Sequence, residues 1–275
     1  DAGGNVQLWV EPSPPSSPPA SVDKDPHLHF AHGGRADFRG KHGQLYAFFS
    51  APGLSVNVRT EEASFLLHNG KLEVDGSFIT EAHLVARVGG AKAKLARLSY
   101  WASELNKDNW GWRVINGTCG GGAPFHLGVG SKRQCEELSV AVDMSTAVVS
   151  LRGWRLTVKG NHIYDRTSTS GPHHRLDLSF ASEGGAARRD LPHGVIGQSF
   201  ASPAPRYGKV DDYTEQGHFR TSAMAEGAIE GEASMYELLS PHDTSFAFSR
   251  FDTPTAPSPP EAPPGAGGAE AASLD

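Results

Sequence analysis

Three histidines stand close together in the stretch DPHLHFAHGG, at His27, His29 and His32. Imidazole nitrogens bind zinc, iron and copper, and on a strand the two-residue spacing of His27 and His29 puts both rings on one face. With a carboxylate and further histidines from elsewhere, such a pair is the ligand set of a metal-dependent enzyme. His173, His174, His193, His218, Asp37 and Glu73 are the distant candidates. Against this, a segment between Pro26 and Gly33-Gly34 need not hold regular strand geometry. A chain with 13 histidines also clusters some of them by chance. The competing reading is architectural, with His27 hydrogen-bonding backbone at the edge of a domain.

Other chemistry is thinner. Tyr100, Trp101, Trp110 and Trp112 form an aromatic cluster beside Asn and Asp, which suits either stacking on sugar rings or covering a loop. No G-x-S-x-G elbow is present, and GVGSKR (128–133) lacks the phosphate-loop spacing. The adjacent acidic pairs Glu61-Glu62 and Glu136-Glu137 would face opposite sides of a strand, which makes them poor catalytic partners. The 2 cysteines, Cys119 and Cys135, are too few for a structural zinc set without histidines. Asn116-Gly117-Thr118 is a glycosylation sequon directly before Cys119. Sequon and cysteines together point to a secreted protein with one disulfide; the alternative is two buried thiols.

The elements that must position these residues are mostly β. Hydrophobic residues make up 38% of the 275, and the 32 glycines and 19 prolines mark a turn-rich chain. A net charge of -6 gives no basic field for nucleic acid, and no apolar run approaches the ~18 residues of a membrane span. Residues 1–23 and 253–275 are proline-rich and read as a linker and a disordered tail around a body at 24–252. Within the body, Asn69-Gly70 between alternating runs predicts a hairpin, Asp75-Gly76 a second turn, and Gly89-Gly90 another hairpin. LSVAVD, AVVSLRGWRLTVKG and HRLDLSFA alternate as half-buried strands. Residues 91–106 also fit a helix. Residues 222–239 are helical by propensity but weakened by Gly227 and Gly231, and YELLSPHDTSFAFSRF reads as strand, turn and last strand.

The stretch 25–61 resembles the opening of a von Willebrand factor type D (VWD) domain: Asp25-Pro26-His27, then ADFRG, then LSVNVR. LPHGVIGQSF (191–200) is similar to the element that closes such domains, and closer still to the C-terminal element of inter-α-trypsin inhibitor heavy chains. Residues 228–251 resemble the tail of cysteine-poor relatives, which favours a strand there over a helix. Ile196 stands where the family usually has cysteine, so disulfide-linked multimerisation is not carried over. The resemblance implies an antiparallel β-sandwich or irregular barrel, secreted or at the cell surface. It would be a non-catalytic adhesion or matrix-assembly module whose partners are extracellular proteins or glycans. It also implies a candidate Ca2+ loop after the closing element, with Asp211, Asp212, Gln198 and Asp25 as candidate ligands. Two carboxylates with few other donors are sparse for calcium, and a solvated Asp-Asp turn is the competing reading. A lectin-like module using Trp101, Trp110 and Trp112, and a metal-dependent enzyme on the histidine cluster, are the alternative functions.

Overall fold

The computed structural model describes residues 17–104, 115–163 and 167–254. Strands β1 (Ala20–Asp23), β2 (His27–His29), β3 (Arg35–Asp37), β4 (Leu45–Ala51), β5 (Leu54–Leu67), β6 (Leu72–Val88), β7 (Lys94–Trp101), β8 (Ile115–Cys119) and β9 (Phe125–Leu127) come first. They are followed by β10 (Lys132–Cys135), β11 (Leu138–Asp143), β12 (Thr146–Leu151), β13 (Trp154–His162), β14 (Ser168–Ser170), β15 (His174–Ser182), β16 (Gly217–Arg220) and β17 (Glu237–Leu238). One sheet runs β10-β11-β12-β13-β15-β1-β2-β3, the other β17-β4-β5-β6-β7-β8-β9, with β14 on β5 and β16 on β6. All pairs are antiparallel except β16 with β6. The sheets face each other as a β-sandwich, with no closed barrel among the described residues.

Alternation sets the inner faces. In β12, Ala147, Val149 and Leu151 point inward between half-exposed neighbours, and β13 and β15 repeat the pattern. Phe49, Trp154, Phe180 and Phe200 form the aromatic centre, with Phe49 stacked on Phe180 at 5.5 Å and edge-on to Trp154 at 4.7 Å. Asn69, at φ 58, and Gly70, at φ 85, make the left-handed turn between β5 and β6, as the Asn-Gly pair predicts. Gly89-Gly90 turns β6 into β7 in the same way.

Several expectations are corrected. Residues 94–101 form a strand rather than a helix: Ala96, Leu98 and Tyr100 enter the core at period two, and pairing with β6 overrides local propensity. Asp75-Gly76 is no turn. Both residues lie inside β6, where Gly76 gives room to the Phe65 ring, 3.1 Å from where a Cβ would sit. Strand β1 begins at Ala20, inside the segment read as linker, because Ala20 and Val22 are buried between β15 and β2.

TSFAFSRF is not a strand either. After β17 the chain becomes a strap across the outer face of the second sheet. There Asn57 Nδ2 donates to the carbonyls of Pro241 and Asp243, both at 2.8 Å. His83 and Ser99, paired at 2.9 Å, reach His242 at 3.2 Å from Ser99 Oγ. Phe246 and Phe248 pack on Tyr236 at 5.9 and 5.3 Å. The outer face of this sheet is thus polar yet buried, and the strap supplies its hydrogen bonds. The stretch 222–239 holds only a 3-10 turn, Ala233–Tyr236, and β17.

Cys119 and Cys135 are joined in a disulfide, Cα to Cα 5.7 Å, linking the end of β8 to the end of β10 across the two sheets. A closed loop of this size contributes about 3 kcal/mol through the unfolded chain. Reduction should therefore lower the melting temperature by roughly 6–12 °C in a scan with and without reductant. An unchanged midpoint would show that the bridge adds nothing.

Candidate functional site

The residues singled out around Asp25 meet in one place. The β2–β3 hairpin puts His27 opposite Asp37, and His27 Nδ1 lies 2.7 Å from Asp37 Oδ1. On the other side His27 Nε2 lies 3.2 Å from Asp25 Oδ1. The Tyr213 hydroxyl donates to the second oxygen of Asp25. The amide of Asp211 donates to Asp37 Oδ2 at 2.9 Å, and the Asp211 carboxylate in turn accepts from the amide of Ser222 at 2.9 Å. The opening hairpin and the segment 211–222 are thereby clamped together, beside a cleft of about 520 Å3 that Asp25, His27, Asp37, Asp211 and Tyr213 line.

The electrostatics follow from these contacts. Hydrogen bonds donated to Asp25, then Asp37, raise the His27 pKa to about 10 against the opposing effect of burial, so the ring is an imidazolium at neutral pH. Both ring nitrogens carry protons and both face carboxylates, so neither has a lone pair for a metal in this state. Burial first, and the Asp25 carboxylate next, push the Tyr213 phenol upward and keep it a neutral donor. The architectural reading of His27 is corrected in one respect: its partners are side chains rather than backbone. A carboxylate partner from β3 rather than from a distant loop was within reach of the sequence, since Asp37 stood among the candidates. Tyr213 was missed, although it lies two residues beyond Asp211.

The other histidines go elsewhere. His29 is exposed, 3.9 Å from Asp23. His32, at φ 63 in the following turn, lines a separate cleft with Phe200 and Leu191. His193 stacks on Phe248 at 4.7 Å and meets Glu230 at 3.1 Å, and burial lowers its pKa. His218 pairs with Asp75 at 3.0 Å, and His174 lies 3.2 Å from His162. Thr169 donates to Glu73 at 3.4 Å. Among the described residues, no three His, Cys, Asp or Glu side chains form a group able to hold a metal.

Of the four residues named for calcium, Asp25 and Asp211 line the same cleft, while Gln198 and Asp212 are not on its lining. Gln198 is buried within the closing element, where its Nε2 donates to the Gly194 carbonyl at 2.9 Å and to the Tyr236 hydroxyl at 3.0 Å. Its Oε1 accepts from Arg206 at 3.1 Å and from the Glu230 amide at 2.9 Å. The Asp211 carboxylate caps backbone amides, Asp212 is exposed, and Asp25 belongs to the clamp. Trp101 is half-buried and edge-on to His83 at 6.1 Å; Trp110 and Trp112 lie outside the described residues. Asn116 sits half-buried on β8 with its side chain against His126.

No protein-family model matches the chain, and neither does any curated protein.

Proposed function

We propose that the chain is a non-catalytic binding or structural module of the extracellular or cell-surface kind, as the VWD-like opening and closing elements imply. The observation that carries this reading is the clamp. Asp25, His27, Asp37, Asp211 and Tyr213 are engaged by one another, joining the opening hairpin to the segment 211–222. A general base needs a pKa near working pH, and His27 lies far above it. A network whose members satisfy each other is suited to holding shape. The inter-sheet disulfide and the sequon at Asn116 fit an oxidising compartment. The sandwich then presents its clefts and loops to protein or glycan partners.

Metal analysis of the purified chain beside a His27→Ala, His29→Ala double variant tests this against a metal-dependent enzyme. The expected result is no stoichiometric zinc, iron or copper in either protein. Stoichiometric metal in the parent that is lost from the variant would overturn the module reading.

A further inference from the structure

A second cleft, of about 540 Å3, opens where the long β5–β6 hairpin leaves the sandwich. Its volume is within the roughly 300–1,000 Å3 of small-molecule sites. The distal half of the hairpin, held by β14 on one side and β16 on the other, forms one wall. Its Phe65, Leu67 and Phe78 join Ile163 as an apolar floor. This cluster is separate from the main core, so the floor belongs to the cleft rather than to the packing of the two sheets.

The rim is cationic. Lys24 and Lys159 line the cleft, are exposed, and form no salt bridge among the described residues. Arg175 is placed deeper, its guanidinium 5.9 Å from the centroid of the Phe78 ring. Its Nε is buried and makes no close hydrogen bond, its one charged partner being Asp177 at 3.4 Å. Asp25, the carboxylate on the lining, is already engaged by His27 and Tyr213.

We infer that this cleft binds a carboxylate amphiphile, an apolar chain lying on Phe65, Leu67, Phe78 and Ile163 with its carboxylate among Lys24, Lys159 and Arg175. The apolar floor distinguishes this occupant from a sulfated glycan, which would use the cations and make no use of the apolar lining. The inference goes beyond the module reading and does not depend on it, since an adhesion module need not bind a small amphiphile.

Titration calorimetry of the whole chain with dodecanoate below its micelle concentration tests it, with dodecanol as the uncharged control. Saturable one-to-one binding is expected for dodecanoate, with dodecanol at least about tenfold weaker. Lys24→Glu with Lys159→Glu changes exposed side chains only, so the fold should survive, as a melting curve will show. In that variant dodecanoate affinity should fall by about tenfold or more. No saturable binding, or equal binding by parent and variant, would overturn the inference. So would a sulfated polysaccharide that binds the parent but not the variant while dodecanoate binds neither.

Discussion

Replacing His27 by alanine should lower stability by about 2–4 kcal/mol, because it leaves Asp25 and Asp37 facing each other without the cation between them. For a domain of this size that is a fall of roughly 5–15 °C in melting temperature. The pH dependence carries the sharper test. The folded pKa of His27 lies at about 10, above its ordinary value of 6.5. A raised pKa means that the folded state holds the proton more tightly than the unfolded chain. The contribution is therefore full below pH 6.5 and disappears as pH rises through about 10. The gap in melting temperature between parent and variant should thus narrow steadily from neutral pH to pH 10, whatever other groups titrate in both proteins. A constant gap across that range would mean that the ring is neutral and the clamp is not ionic. His27→Gln separates charge from hydrogen bonding, since it retains a donor and should recover only part of the loss.

Gln198→Leu should cost about 2–5 kcal/mol. The substitution is near in volume, but it leaves the Glu230 amide and one Arg206 nitrogen without their shared acceptor in a buried setting. It also removes the donor to Tyr236, whose own hydroxyl holds the Glu230 carbonyl at 2.8 Å. The segment from Ala228 to Tyr236 should loosen first, so the Glu230 amide should lose hydrogen-exchange protection before the strands do. The same variant examines calcium. If Gln198 is architectural, the loss is equal in millimolar calcium and in chelator. A parent stabilised by calcium and a variant indifferent to it would restore Gln198 as a ligand.

Both results bear on what a linear reading can reach. The hairpins at Asn69-Gly70 and Gly89-Gly90 were legible because left-handed turns depend on the residues that make them. The strands β11, β12, β13 and β15 were legible because each keeps one buried face, and a buried face leaves a period of two. Asp75-Gly76 carries the same local signal as a hairpin turn. Its glycine answers instead to Phe65 on the neighbouring strand, a demand that local sequence does not record. The strap at 240–252 shows alternating phenylalanines without a strand, because Phe246 and Phe248 both pack on Tyr236 while Ser245 and Ala247 face solvent, an alternation set by one ring rather than by a paired strand. Residues 94–101 had helical propensity, and a partner strand decided otherwise.

The site divides in the same way. Sequence alone determined that the chain is β-rich and carries one cysteine pair. It also brought Asp25, Pro26 and His27 forward as a group. Whether His27 was a ligand or a clamp depended on which groups stood 3 Å from its two nitrogens. Asp37 lies ten residues further along and Tyr213 lies 188 residues from Asp25. Turn chemistry and alternation act over a few residues and can be read along the chain. The charge state of an imidazole is set by neighbours in space, and only the pairing of β2 with β3 and the return of the chain at Asp211 and Tyr213 fixed those neighbours there.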